Sequence, residues 1–506
     1  MTDTPAPADT AASPSAASAG RVRPPMPAAT RALLDATLPY IESWIDYRTW
    51  RSQVPGAQVA IHYDGGLRFS RAFGVADLTS GASLTTNHLF RVASHSKTFT
   101  ATAVLQLAER RMLRLDDTAG AHVPALAAGG SPLADVTVGE LLGHGAGVIR
   151  DGLDADHWSS ASPFPDEERL MVMLVGEGAI VQPLETFKYS NIGYSLLGLI
   201  IASVTGTTYA EALGRLVIDP LGLTDTGAEW EPRRADEFAA GHSGLHASRT
   251  RRVLDHVDTR AMASATGFFS TAEDMTSFAS AHFDGDERLL TDRSKRMMRR
   301  TQWIADPDTG TDSQYGYGLT IEHYDGHRMI GHFGGYPGHI TRTMWDPVDG
   351  LAISVLTNAI DGPAEELAAG ILRMLDRARA TPGAAPMLEH SEPEVCDLVS
   401  FTGRFASLWG VSDIAVIGDR LVLAHPSTPN PVVGLGRLEV VDADTLRIAS
   451  GSGYGSVGES IRYHRHPDGS VDQVVIAGMT AWPIADYRER AGEGDDRLTG
   501  GSSLPA

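Results

Sequence analysis

Strand-forming segments lie at both ends of a long helical stretch in this chain, and that placement limits the folds open to it. Two alternating runs, 58–63 and 67–73, are separated by Asp64-Gly65-Gly66, which is a hairpin signal. Helical periodicity precedes them over 29–50, through Leu33, Leu34, Leu38 and Ile41. Helices then dominate the middle. The segment 94–112 carries Val104 and Leu107 among its apolar positions. The segment 190–204 is apolar almost all round, which predicts burial, and 271–282 follows. Strand-like runs return at 318–322, 328–333, 340–345 and 351–356, and a helix over 363–379 closes the region. Strands split around a helical middle predict an α+β domain whose single sheet is built from both ends.

The stretch Ala380-Thr381-Pro382-Gly383-Ala384-Ala385-Pro386 breaks that pattern, and 380–397 reads as a linker between a domain at 29–379 and a second one at 398–487. In the second, short alternating runs at 412–417, 420–423, 438–441, 460–464 and 473–476 are punctuated by Gly, Asp and Pro. They predict a small all-β barrel or sandwich. Residues 1–28, mostly Ala, Pro, Thr and Ser, and the polar 488–506 are expected to be a disordered leader and tail. The leader lacks a charged start followed by an apolar stretch, so the expected compartment is the cytoplasm. Acidic residues outnumber basic ones 63 to 42, a formal charge of −21, which argues against nucleic acid or an anionic membrane as partner. The single cysteine, Cys396, excludes an intrachain disulfide and a Cys-based zinc finger. No apolar run approaches the roughly 18–20 residues of a membrane span.

Chemistry enters through a residue that is scarce here. The chain has three lysines, Lys97, Lys188 and Lys295, so a motif containing one seldom arises by accident. Ser94-His95-Ser96-Lys97 opens the helix predicted at 94–112, and positions i and i+3 share a helix face. A serine hydroxyl needs an adjacent base, and a lysine becomes one when burial lowers its pKa. The bland reading is a capping serine beside a surface lysine. Lys188-Tyr189-Ser190-Asn191 precedes the apolar helix; a Tyr hydroxyl with a nearby amide can extend a proton relay, whereas the plain alternative has Asn191 as helix cap. Gly331-His332-Phe333-Gly334-Gly335 lies on or after a strand, where paired glycines permit close approach of a ligand and their N–H groups could supply part of an oxyanion hole. Alone it reads as a Gly-rich turn.

Taken in order, Ser94-x-x-Lys97, Tyr189-x-Asn191 and His332-x-Gly334 resemble the penicillin-recognising serine hydrolases: class C β-lactamases, D-Ala-D-Ala carboxypeptidases, D-aminopeptidases and family esterases. The run from Phe90 to Ala101 is similar to that family's nucleophile segment throughout. Leu141-Leu142-Gly143-His144-Gly145-Ala146-Gly147, Phe269-Ser270-Thr271-Ala272-Glu273-Asp274-Met275, and Asp346-Pro347 with Leu356-Thr357-Asn358 also look familial. The resemblance covers about 50–378, and the β domain resembles the lipocalin-like module carried by some family members. It implies a β-lactamase/transpeptidase-like fold, with an antiparallel sheet and a helical region.

The resemblance further implies that Ser94 forms an acyl-enzyme, with Lys97 and Tyr189 sharing the proton traffic and the choice of base left open. Asn191 would hold Lys97 and the substrate amide, and the N–H groups of Ser94 and Gly335 would form the oxyanion hole. His332 stands where lactamases and carboxypeptidases usually have lysine, and Phe333 replaces the hydroxyl residue. A neutral imidazole supplies less positive field, so ester or amide hydrolysis is expected ahead of lactam hydrolysis. An acyltransferase or peptide cyclase, of the penicillin-binding-protein-type thioesterase kind, is the alternative; a β-lactamase and a non-catalytic sensor are the others. The substrate is expected to be a small molecule or peptide. His323, His327, His332 and His339 cluster without a His-Glu-x-x-His, and Tyr463-His464-Arg465-His466 lacks an acidic partner in fixed register, so neither metal nor cofactor is expected. The loops at 150–168 and 230–262 are expected to shape the pocket, and the β domain to stand beside the cleft as part of its wall.

Overall fold

In a computed structural model, residues 25–246, 248–305, 313–380, 398–451 and 456–490 are described. Residues 1–24 of the leader, 381–397 of the linker with Cys396, and 491–506 of the tail lie outside them. The hairpin forms as the sequence predicts: Gly56–Tyr63 pairs with Gly66–Asp77, and Tyr63 stands opposite Gly66. Asp64 and Gly65 between them both have positive φ, 50° and 73°, as a tight two-residue hairpin turn requires.

The first strand also pairs with Leu351–Thr357, Ala57 lying opposite Thr357. That register joins the two ends of the domain. The sheet continues through His339–Asp346, His327–Tyr336, Thr320–Tyr324, Gln314–Tyr315 and Trp303–Ile304, each strand antiparallel to its neighbour. Side chains alternate between its faces. Val59, Ile61, Ile353 and Val355 pack under the helices Ala28–Arg51 and Ala364–Arg379, while Ala60, Ala352 and Leu356 face the helical region that contains Ser96–Glu109 and Ala272–Ser280.

Eight strands between Gly403 and Pro483 close into a barrel, Phe405 of the first pairing with Pro483 of the last. Its interior is filled by Phe405, Ile414, Leu421, Leu446, Ile461, Tyr463 and Val474, so it is a packed core. Outward-facing Ala415, Ile417, Val422 and Ala424 join the core of the helix pair 28–51 and 364–379. Polar ties reinforce the seam: Gly418 N–H donates to Thr37 Oγ1 (2.8 Å), Arg48 Nη1 to the Ser427 carbonyl (2.8 Å), and the Arg404 guanidinium lies 4.6 Å from the Tyr47 ring.

The barrel therefore sits on the helices covering the sheet face remote from the Lys97 helix, which corrects the expectation that it walls the cleft. Its outward alanines and aliphatics match the apolar residues of that helix pair. Residues 488–490, expected in the tail, are ordered too. Ile484–Arg490 is helical, because Arg488 lies over the Trp50 ring (4.6 Å) and Arg490 over Trp482 (5.1 Å). Truncation after Ala380 should uncover the seam, lowering the unfolding midpoint by about 5 °C or more and raising apolar-dye binding, while Ser94 remains reactive. Calorimetry alongside active-site labelling checks both halves of that expectation.

Candidate active site

Ser94 lies in a one-turn 3-10 helix, Ala93–His95, and the α-helix begins only at Ser96, two residues later than the spacing predicts. Ala93 takes φ of 47°, a left-handed conformation costly for a residue with a Cβ. The turn is over-determined on both sides. Phe90–Arg91 pairs with Phe269–Ser270, Val92 N–H donates to the Phe268 carbonyl (2.9 Å), and Gly334 of the strand His327–Tyr336 presses against the Val92 carbonyl. Phe99 stacks on Phe268 and Phe278, at 4.4 and 3.8 Å between centroids, and anchors the helix that follows.

One helical turn on, Lys97 is fully buried. Its Nζ lies 3.1 Å from Ser94 Oγ, 2.7 Å from Asn191 Oδ1 and 2.8 Å from the Ala265 carbonyl. Burial holds the amine well below the ordinary lysine range; Asp151 opposes this and Arg150 adds to it. Tyr189 donates its hydroxyl to Ser94 Oγ at 3.0 Å, and its own pKa is raised by burial, so the phenol stays protonated. Asn191 is not the helix cap. Ser190 is, accepting from Gly193 N–H (2.8 Å), which leaves the Asn191 amide to face Lys97. Asn191 Nδ2 donates to Asp151 Oδ1 (2.6 Å), fixing the amide so that its oxygen meets the lysine.

His332 is buried beside these groups, its ring 6.4 Å from Tyr189 and 6.1 Å from His95. Nδ1 donates to the Phe333 carbonyl (2.6 Å), so Nε2 accepts from the Tyr315 hydroxyl (3.1 Å). Burial and the nearby Lys97 hold the ring neutral, well below the usual histidine range. The two-residue turn Pro337-Gly338 makes Tyr336 and His339 a hydrogen-bonded pair; by alternation the Gly335 N–H points away from the neighbouring strand 339–346. Beyond Gly331 no described strand pairs with that edge, so this N–H is open to the cleft.

All seven residues singled out in the sequence, Ser94, Lys97, Tyr189, Asn191, His332, Gly334 and Gly335, thus gather at one place. Arg150, Asp151, Tyr315 and the Ala265 carbonyl also belong to the site, though no motif in the sequence marks them. Arg150-Asp151 open the loop expected to shape the pocket, which was the one available signal. In the other expected loop, 230–262, Trp230, Phe238 and His256 pack on one another and on His339. His144 supports Tyr189: its ring lies 4.4 Å away, and its Nδ1 accepts from Ser190 N–H (3.1 Å). Of the clustered histidines, His327 pairs with Asp376 and His339 with the Ala239 carbonyl. Among the described residues no three His, Cys, Asp or Glu side chains converge as a metal site.

Several histidines buried around this region are neutral. Burial pushes His95 down to about 3, and His256 and His282 down to about 4. Each protonates near 6.5 once unfolded. Their contribution to stability is therefore full above pH 6.5 and is lost as pH falls toward 4, and for His95 toward 3, at roughly 1.4 kcal/mol per pH unit for each group. Unfolding at pH 5 should take up protons, and the unfolding midpoint should drop steeply below pH 6. Calorimetry in buffers of different ionisation heat measures the uptake.

An antiparallel sheet with a helical region, and a serine hydroxyl bonded to a buried lysine and a tyrosine at their junction, define a serine hydrolase. The Beta-lactamase family model matches residues 41–376, and the chain belongs to that family. It is 28% identical to penicillin-binding protein 4* of Bacillus subtilis (strain 168) over 286 residues, which are 55% of this chain and 62% of that relative. Among solved structures, it is similar to the D-amino acid amidase of Ochrobactrum anthropi SV3, with TM-score 0.58 and 25% identity over 68% of this chain and 99% of that one. The octameric penicillin-binding protein homologue from Pyrococcus abyssi, at 21% identity, shares the fold over 88% of this chain and 99% of its own, with TM-score 0.59.

Proposed function

We infer that the protein hydrolyses ester or amide bonds through an acyl-enzyme on Ser94, as an esterase or D-amino-acid peptidase. The hydrogen-bond set of Lys97 carries this reading. A neutral amine has two N–H bonds and one lone pair. The Asn191 Oδ1 and the Ala265 carbonyl can only accept, so they take both N–H bonds. The lone pair is left for Ser94, 3.1 Å away. Lys97 is then the base that receives the Ser94 proton as Oγ attacks the acyl carbon.

Tyr189, kept protonated by burial, donates toward Oγ and toward the departing group. The amides of Gly335 and Ser94 receive the oxyanion. Water then attacks the ester, its proton passing to the same relay, and Ser94 Oγ leaves with a proton. Asn191 keeps Lys97 aligned, His332 with Gly334 and Gly335 borders the acyl group, and no cofactor takes part. His332 is neutral with both nitrogens engaged, so the third motif offers no cation to a lactam carboxylate. This supports ester or amide chemistry over lactam chemistry, and the amidase likeness points the same way.

Incubation with a fluorophosphonate should add one adduct mass to the wild type and none to Ser94→Ala. An unmodified wild type, or equal modification of the variant, would overturn the assignment. Side-by-side turnover of p-nitrophenyl esters, D-amino acid amides, nitrocefin and peptidyl thioesters then ranks the chemistries.

A further inference from the structure

The β barrel has two ends of opposite character, and strand register assigns its connections to them. Ser407 pairs with Gly410, Leu423 with Gly436, Arg437 with Ser450, Arg447 with Ser460 and Ile476 with Met479. The connections 408–409, 425–435, 451–459 and 477–478 therefore leave from one end. The turns 418–419, 443–444 and 466–470 leave from the other. That second end has Asp419, Asp444 and Asp468 within nine residues. At the first end the twenty described residues of the connections include one Asp, Glu, Lys or Arg, namely Glu459, where the charged share of the chain, 21%, would place about four. Large apolar side chains stand out there instead. Leu408 is 87% exposed and Trp409 83%, and Val433, Val457 and Met479 are exposed too.

Folding does not ask for these side chains. Leu408 and Trp409 form the two-residue turn between the paired Ser407 and Gly410, a place that favours Asn, Asp and Gly. The barrel interior is filled by its own core, so this end is not the mouth of a cavity. The seam does not claim it either: Val432 and Leu435 pack into the core of the helix pair 28–51 and 364–379, and Val433 between them is left outside. The strand that begins at Met479 neighbours the strand that ends at Ser407, which sets Met479 on the same side of this end as the Leu408-Trp409 tip. A protein partner is registered by polar and charged groups at the rim of the contact, and this end has one such charge. A lipid surface asks only for projecting apolar side chains, with a Trp ring at the level of the headgroups. The formal charge of −21 repels anionic headgroups. We propose that this end of the barrel docks on an electrically neutral, zwitterionic lipid surface, with Leu408, Trp409 and Met479 entering it. So few side chains make the contact reversible. The Ser94 site takes no part, since the barrel stands on the opposite face of the sheet.

Vesicle flotation of the full-length protein tests this. The wild type should float with phosphatidylcholine vesicles, and less with phosphatidylglycerol vesicles at low salt. Leu408→Asn combined with Trp409→Gly should reduce flotation on phosphatidylcholine by about tenfold or more. Asn-Gly is the favoured pair for such a turn, so this variant should unfold at or above the wild-type midpoint, which separates lost docking from misfolding. Met479→Ser, which leaves the turn untouched, should lose a smaller part of the flotation. A wild type that stays with the soluble fraction overturns the inference, as does a double variant that floats equally well. A preference for phosphatidylglycerol that salt abolishes also overturns it, because the attraction would then be electrostatic. So does sedimentation without vesicles that shows a wild-type dimer becoming a monomer in the double variant, since the tip would then be covered by a second copy of the chain.

Discussion

Lys97→Met should slow acylation of Ser94 by about a thousandfold, within the range that a positioned general base supplies. Methionine fills most of the space of the lysine stem, so the surrounding core should persist. What disappears is the lone pair facing Ser94 Oγ, along with the two donors to Asn191 Oδ1 and the Ala265 carbonyl. Leaving those buried acceptors unpaired costs about 1–3 kcal/mol each. A lower unfolding midpoint with native circular dichroism is therefore part of the expected result. The rate of fluorophosphonate labelling is the measurement of choice, because it reports the nucleophile alone. Labelling at the wild-type rate would transfer the role of base to Tyr189. The same logic sets a pH profile: wild-type acylation should rise with pH through the depressed pKa of Lys97, and the variant should lose that limb.

Gly334→Ala should be the most damaging change that leaves every catalytic side chain in place. A Cβ at that position would lie 2.2 Å from the Val92 carbonyl oxygen, 2.5 Å from Thr341 Oγ1 and 3.0 Å from His95 Nδ1. The first of these is backbone of the nucleophile segment, so relief requires the strand 327–336 and the Ser94 turn to separate. A displacement of about 1 Å costs on the order of a hundredfold in rate, and the overpacking about 1–3 kcal/mol of stability. A drop of that size in kcat/KM for a p-nitrophenyl ester, with the fold retained, is the expected outcome. Gly335→Ala provides the contrast. Its Cβ would meet only Ile340 Cδ1 at 3.6 Å, an ordinary contact, so the loss should be far smaller. Equal losses in the two variants would mean that close packing of Gly334 on the Ser94 turn is not what aligns the site.

Reading the chain alone locates the nucleophile, its lysine, the tyrosine–asparagine pair and the glycine strand, because each is a short pattern with few chance matches in a protein so poor in lysine. The two-ended sheet and the barrel are legible for a similar reason. Alternation and helical spacing are local properties, and Asp64-Gly65 is a local turn. The misreadings are all matters of context. Asn191 reads equally well as a cap until Ser190 is found capping the helix. Residues 488–490 read as tail until Arg488 meets Trp50 from the opposite end of the chain.

The sequence by itself determined that a serine and a lysine stand one helical turn apart, within an α+β domain followed by a β domain, since covalent spacing and periodicity are enough to settle both. Only the tertiary structure decided that the lysine is buried between two acceptor-only oxygens, that Arg150 and Tyr315 attend the site, and that the barrel lies on the far side of the sheet. Desolvation, hydrogen-bond partnership and docking face arise between segments far apart in the chain, Lys97 and Ala265 by 168 residues and Thr37 and Gly418 by 381. No local pattern records them, because they exist only once the chain has closed on itself.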